Sequence, residues 1–251
     1  MNTTLLASKL ERLHHDREAH RYSLRRETDY IWEIPESLYL LNTEYFKEGQ
    51  VVIDMGCGPS VSLKNILGYE KLKEIKYIGV DISREMLKLA KKIIPMGQFR
   101  QGNIETVKFP NNYSNVIISL GALHHSINKE KALANWTRTL KRRGYLLLRE
   151  PTFEALKRGQ GESPMEEGIK FSELTSFLKV NNYRMVNVTF FSSQGFHFFN
   201  RVMIKLGLGG WQKIKLAWYP IVVLDVLLVK LLSRFLPLFR GQAFTLIAQK
   251  V

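Results

Sequence analysis

The sequence predicts an α/β fold, a mostly parallel sheet with helices on both faces, on three observations. Short apolar runs end in acidic or polar residues at 51–54, 77–81 and 115–119. Amphipathic stretches of helical length separate them, which is the pattern of parallel strands joined by crossover helices. A glycine-bearing turn, Met55-Gly56-Cys57-Gly58-Pro59-Ser60, follows the first run at once, and strand-turn-helix junctions of this kind are where open sheets bind ligands.

Composition bounds the rest. The chain of 251 residues fits one domain with a lobe or insertion. An apolar fraction of 45% excludes wholesale disorder. The formal charge of +14, from 37 basic and 23 acidic residues, favours anionic partners: nucleic acid, an acidic small molecule or an anionic membrane surface. Cys57 is the single cysteine, so an intrachain disulfide is excluded and a reducing compartment is the simpler inference. The N-terminus has no continuous apolar run of signal-peptide length, so a cytoplasmic location is expected. No zinc-type Cys/His spacing occurs, and no metal is expected.

Residues 1–47 are helical in pattern, with Leu5, Leu6, Leu10 and Leu13 at helical spacing. The histidines His14, His15 and His20 are expected as solvated helix residues. An aromatic patch (Tyr22, Tyr30, Trp32) precedes Pro35, and a second helix fits 36–46. The patch either packs the segment onto the domain or forms a lid.

The first strand runs into Asp54, a carboxylate that is costly at the end of an apolar run unless it meets a donor. Glycine lets the following backbone turn sharply and lets a ligand approach, and the helix start beyond it favours an anionic group. A ligand with both a carboxylate and an ammonium matches this turn. The rival dinucleotide loop needs G-x-G-x-x-G, and its third glycine position is Val61. A crossover helix fits 62–72, and a second strand, 77–80, ends at Asp81. A carboxylate there can accept both hydroxyls of a ribose diol, and it can also cap the helix expected over 84–94.

The stretch 97–102 leads to Asn103-Ile104. Turn residues at 109–114 precede a buried strand, 115–119, and then Ser119-Leu-Gly-Ala-Leu-His-His-Ser126. That position puts His124 and His125 beyond the carboxyl end of the sheet. Either imidazole could serve as a general base, or it could cap the next helix. A helix over 129–140 is expected to close on the basic run Lys141-Arg-Arg-Gly144. A strand, 145–149, then ends at Glu150-Pro151. Residues 154–170 read as a loop near the site. A helix follows over 171–180, with Ser172 a candidate cap, and then a strand, 183–191. The last strand is 243–250.

About fifty residues separate these last two strands, far beyond hairpin length. They hold Arg201, Lys205, Lys213, Lys215, Lys230, Arg234 and Arg240 against one acid, Asp225. They also carry Phe196, Phe198, Phe199, Trp211, Trp218 and Tyr219. Between Pro220 and Pro237 an apolar helix is expected. Leu224, Leu227, Leu228, Leu231, Leu232 and Phe235 fall on one arc, and Asp225, Lys230, Ser233 and Arg234 on the other half. The helix is too short and too charged to span a bilayer. It fits a membrane interface, or a cover over the substrate pocket, or a dimer partner.

The turn at Asp54, Gly56, Cys57 and Gly58 resembles motif I of the class I S-adenosylmethionine-dependent methyltransferases, in their large small-molecule branch. One departure is Ser60, where the family often has a third glycine. The resemblance implies a Rossmann-like, seven-stranded, mostly parallel sheet built from residues 48–191 and 243–251, with an N-terminal helical lid, 1–47, and a helical insertion, 192–242. It further implies that S-adenosylmethionine is held by Asp54, Gly56, Cys57 and Gly58 at its amino-acid end, by Asp81 at the ribose and by Ile82 against the adenine. Asn103 stands where the family commonly has an acid and would read the adenine edge beside Ile104. Ser119 and Leu120 complete the expected cofactor site, and His124 and His125 are the catalytic candidates.

The function expected is methyl transfer to a small, apolar or lipid-linked acceptor. The alternatives are a nucleic-acid methyltransferase and an inactive cofactor-binding scaffold at a membrane. A nucleic-acid partner is disfavoured because no Asn-Pro-Pro-aromatic or Asp-Pro-Pro-aromatic tetrapeptide follows the fourth strand. An anionic membrane, on the inner face and through residues 196–240, is the candidate peripheral partner.

Overall fold

Parallel pairing begins at β1 (Val51–Met55), whose neighbours are β2 (Lys76–Asp81) and β4 (Ser114–Leu120). With β3 (Gln98–Gln101), β5 (Leu140–Pro151), β6 (Tyr183–Phe191) and β7 (Ala243–Lys250) they form one sheet in the order β3-β2-β1-β4-β5-β7-β6. Only β7 runs antiparallel to its neighbours β5 and β6. The chain reverses direction in the sheet between β1 and β4, which creates a crevice at the carboxyl ends of those strands. The helices are α1 (Thr3–Thr28), α2 (Val61–Glu74), α3 (Arg84–Ile93), α4 (Lys129–Thr139), α5 (Phe171–Val180) and α6 (Lys215–Leu232). This computed structural model describes residues 3–28, 43–157, 166–192, 201–208, 215–232, 235 and 241–251.

Alternation along the strands divides the core between two faces. Ile53, Met55, Ile117, Leu146 and Leu148 meet Leu133 and Trp136 of α4 and Leu174 and Leu178 of α5 on one face. Val52, Val116, Ile118, Leu147 and Ile247 meet Leu63, Leu67 and Leu72 of α2, with Phe46, on the other. Strands buried on both sides explain the continuous apolar runs in the sequence.

Four features add to or correct the sequence reading. The leucines Leu6, Leu10 and Leu13 of α1 face outward, while Ala7 and Glu11 are buried. The inner face of α1 meets a polar rim, where small and hydrogen-bonding side chains fit and leucines do not. Second, the basic run after α4 opens β5 rather than closing the helix. Leu140 already pairs with Ser114, the ladder resumes at Tyr145 opposite Val116, and the residues between bulge out at Arg143 (φ 61°). Third, Ser172 lies inside α5, whose N-cap is Lys170. Fourth, α6 starts at Lys215 and carries Pro220 within it, where a proline forfeits one backbone bond and crowds the carbonyl four residues back. The expected helix over 36–42, the aromatics Tyr30, Trp32, Phe196, Phe198, Phe199 and Trp211, and the side chains of Tyr22, Trp218 and Tyr219 lie outside the described residues.

Candidate active site

The turn after β1 is stitched to the end of β2. The amides of Gly56 and Cys57 both donate to the Val80 carbonyl, at 2.8 and 2.9 Å, and the Gly58 amide donates to Asp81 Oδ2 at 2.8 Å. Gly56 has φ 79°, and a side chain there would put its Cβ 2.1 Å from that of Ala122. Ser60 adopts φ 62°, the left-handed conformation that makes glycine the easier residue at this position. Its hydroxyl is held 2.9 Å from that of Tyr77, which in turn donates to Asp54 Oδ2 at 3.0 Å. Burial first, then the charge of Asp54, pushes the Tyr77 phenol well above its ordinary value and keeps it a donor. Burial, then Asp81 and Asp54, likewise raises the Cys57 thiol, so Cys57 packs as a neutral group.

A cavity of about 440 Å³ opens over these strand ends, lined by Asp54, Gly56, Cys57, Gly58, Asp81 and Ile82. Asn103, Ile104, Leu120, His124 and His125 complete the meeting of the expected residues there. Ser119 is the exception. It does not line the cavity, and its hydroxyl turns behind the sheet end to Glu150 Oε1 at 3.3 Å. Asp81 accepts from Ser83 N through Oδ1 and from Gly58 N through Oδ2, both at 2.8 Å. Each oxygen retains a lone pair for a ligand hydroxyl. Burial raises the Asp81 carboxyl above its usual range, against the lowering by those two amides and by His15 and His125. Asn103 is engaged at both ends of its amide. Oδ1 accepts from Glu105 N at 2.7 Å, and Nδ2 donates to Ser8 Oγ of α1 at 3.1 Å, which leaves one amide hydrogen for a ligand.

The segment after β4 is organised by a buried carboxylate. Glu150 Oε1 accepts from the amides of Leu123 (2.9 Å) and Ala122 (3.2 Å), while Oε2 accepts from His124 N at 3.2 Å and lies 2.8 Å from His124 Nδ1. Burial drives the Glu150 carboxyl up. The hydrogen bond and charge of His124, with the Leu123 and His124 amides, outweigh it and leave the group below the usual range. An ionised carboxylate only accepts, so Nδ1 carries the proton and Nε2 is the basic nitrogen of the neutral ring.

Residues 53–148 match the family model of the methyltransferase domain. An uncharacterized methyltransferase of Schizosaccharomyces pombe is 29% identical over 133 residues, 48% of this chain and 47% of that protein. The ubiquinone/menaquinone biosynthesis C-methyltransferase UbiE of Photorhabdus laumondii is 30% identical over 124 residues, 45% of this chain and 48% of that protein. The matched part of the chain thus spans about half the length of these curated relatives. The solved structure of an S-adenosylmethionine-dependent methyltransferase from Mesorhizobium loti superposes with a TM-score of 0.58, over 87% of this chain and 98% of that one, at 14% identity, a likeness of fold. Over residues 53–148 the chain is similar to a methyltransferase domain, and its fold is that of the class I enzymes.

Over the cavity, α1 brings a second cluster that sequence reasoning missed. Glu11 Oε1 meets His125 Nδ1 at 2.8 Å and His15 Nε2 at 3.2 Å, and Glu166 Oε1 lies 3.4 Å from the same His125 nitrogen. His15 is therefore no solvated helix residue. Its ring packs edge-on to His125 with centroids 5.0 Å apart. The one sequence signal was the i, i+4 spacing of Glu11 and His15 on a helix. Burial lowers both imidazoles. In His15 the hydrogen bond to Glu11 and the charges of Asp81, Glu11 and Glu166 win, and its pKa is raised. In His125 burial and the neighbouring His124 and His15 win over Glu11 and Glu166, and its pKa is lowered. The donor atoms of Glu11, His15 and His125 lie within 4.8 Å of one another, near enough for one cation, but their mutual hydrogen bonds account for the arrangement. His125 thus clasps α1 and the segment at Glu166 to the core. Asp16 adds to the clasp, accepting from Ser83 Oγ at 2.6 Å at the start of α3.

Proposed function

We propose that this protein transfers a methyl group from S-adenosylmethionine to a small, apolar or lipid-linked acceptor, with His124 as the proton acceptor. The observation that supports it is the Glu150–His124 pair, set beside Asp54 and Asp81 on one cavity. The residues fit the cofactor: Asp81 keeps acceptor capacity for a diol, and the Gly56 backbone comes so close to Ala122 that only glycine fits this loop. Asp54, Gly56 and Gly58 would hold its amino-acid end, Asp81 its ribose, and Ile82 with Asn103 its adenine. When bound, S-adenosylmethionine supplies a methyl group on a positively charged sulfur, already activated for transfer. The chain positions the acceptor in line with that carbon, an orienting effect on the order of 7 kcal/mol. Glu150 fixes the His124 ring and its tautomer, so that Nε2 takes the acceptor's proton as the new bond to carbon forms. His125 has its acidic partners on α1 and at Glu166 rather than in the sheet, so it is assigned to holding α1 and His124 to the base. The partial likeness to a ubiquinone/menaquinone biosynthesis C-methyltransferase supports an acceptor of apolar character.

Labelled S-adenosylmethionine, incubated with extracted lipids and polar metabolites, identifies the acceptor. With it in hand, His124→Ala lowers turnover by roughly 10²- to 10⁴-fold while calorimetric cofactor affinity stays unchanged. Unaltered turnover removes His124 as base and leaves positioning alone.

A further inference from the structure

We infer that α6 seats this protein on an anionic lipid bilayer through its leucine-rich face. The helix docks on β6 by the opposite side, where Val222, Asp225 and Val229 are 4–6% exposed. Asp225, expected on the polar half, instead turns inward, and its carboxylate accepts from the amide of Ser192 at 2.8 Å and from the Ser192 hydroxyl. That anchor fixes which face looks out. Leu224, Leu227 and Leu231 are 54%, 47% and 65% exposed, and Phe235, just past the helix, is 78% exposed. At 100° per residue the three leucines lie on the side away from the buried arc. A contiguous apolar strip left in water marks an interaction surface.

Charge identifies the occupant. The segment 192–242 holds seven basic residues and one acid, and the Asp225 anchor takes that acid out of the surface. Lys230 is exposed at the edge of the apolar arc, and Lys205 is exposed next to the exposed Ile204 earlier in the same segment. Outward leucines on a segment this rich in basic residues suit the boundary between acyl chains and anionic headgroups, where long basic side chains reach outward to the phosphates. Among the described residues no helix is long and apolar enough to cross a membrane, so α6 would lie along the interface.

The seat is joined to the cavity. Ser192 follows Phe191, which pairs with Ala243, and Ala243 lines the cavity rim with Pro151. An acceptor held in the bilayer would therefore be met on the side of the site where α6 is anchored. The membrane seat does not depend on the methyl-transfer reading, and its test requires no turnover.

Flotation decides it, on vesicles of equal parts phosphatidylcholine and phosphatidylglycerol and on phosphatidylcholine alone. The full chain floats with the mixed vesicles at low salt and is released at high salt. Leu227→Glu with Leu231→Glu reduces flotation by roughly tenfold or more, since two side chains lose apolar burial, and retains calorimetric cofactor binding. Lys205→Glu with Lys230→Glu reduces it on the mixed vesicles as well. No flotation, equal flotation on the neutral vesicles, or flotation indifferent to the leucine pair overturns the proposal. So does a dimer in sedimentation that the leucine pair dissociates without any flotation, which would make this face a contact between two copies. Loss of cofactor binding in the unaltered chain would instead count against the transfer reading alone.

Discussion

Glu150 Oε2 lies 2.8 Å from His124 Nδ1 with the carboxylate wholly shielded from solvent. The same carboxylate satisfies the amides of Ala122, Leu123 and His124, so it holds both the imidazole and the backbone that carries it. Glu150→Ala orphans those donors. At about 1–3 kcal/mol for each buried group left unpaired, the loss is at least about 3 kcal/mol in urea denaturation. Glu150→Gln keeps an acceptor and loses less. A loss under about 1 kcal/mol for the alanine variant would show that the carboxylate does not support this turn.

Asp81 spends one lone pair of each oxygen on the protein, on Ser83 N and Gly58 N. What remains is what a ribose would use. Asp81→Asn keeps the shape and removes the charge and half the acceptor capacity. Calorimetry with S-adenosylmethionine should show affinity weakened tenfold or more, about 1.4 kcal/mol, together with a lower melting temperature, since one of the two amides then faces an NH2 group. Undiminished affinity would refute the assignment of Asp81 to the ribose.

The sheet and its ligand-binding end were legible because their signals are local. β-branched runs ending in Asp54 and Asp81, and glycines at turns, reflect backbone and burial constraints that act within a few residues. The cavity's contents followed from strand order, since the parallel strands β1, β2, β4 and β5 end at the same edge of the sheet. What stayed hidden depends on distant partners. Glu150 reads only as the end of a strand until β5 is seen beside β4, which brings it to a histidine 26 residues away in sequence. His15 reads as solvated until α1 is laid over His125. Asp225 reads as the polar half of a helix until Ser192 is found beneath it. In each case a polar group was placed by a pairing that no periodicity encodes.

Glu11 is the single carboxylate of α1 shared by His15 and His125. With Asp16 on Ser83 and Ser8 on Asn103, it supplies the polar seam between α1 and the core. Glu11→Ala should leave the sheet intact and release the helix. Amide exchange across 3–28 should quicken while β1, β2 and β4 keep their protection, because local opening costs less than global unfolding. Cofactor should dissociate roughly tenfold faster, as expected when about 1.4 kcal/mol of closing interaction is lost. Equal exchange in both proteins would mean that α1 is held by other contacts.

The titrations of this seam run in opposite directions, which gives the stability of the protein two pH limbs. The Glu150 carboxyl is held below its unfolded value by His124 and by backbone amides, against burial. Its contribution is therefore complete above the unfolded value, about 4.3, and is lost as the pH falls through the lower folded value. The His15 imidazole is raised, with Glu11, Asp81 and Glu166 outweighing its burial. Its contribution is complete below about pH 6.5 and fades as the pH rises through the folded value. His125, lowered by burial and by His124 and His15, works against the fold as the pH drops below about 6.5, and it blunts the gain from His15 in that range. Urea midpoints measured across pH separate the three. Glu150→Gln flattens the acid limb alone, and His15→Gln removes the decline above about pH 6.5. In His125→Gln the loss of stability below about pH 6.5 is diminished, since the opposing protonation is gone. If His15→Gln leaves the decline above about pH 6.5 in place, the charge on His15 is not what holds α1.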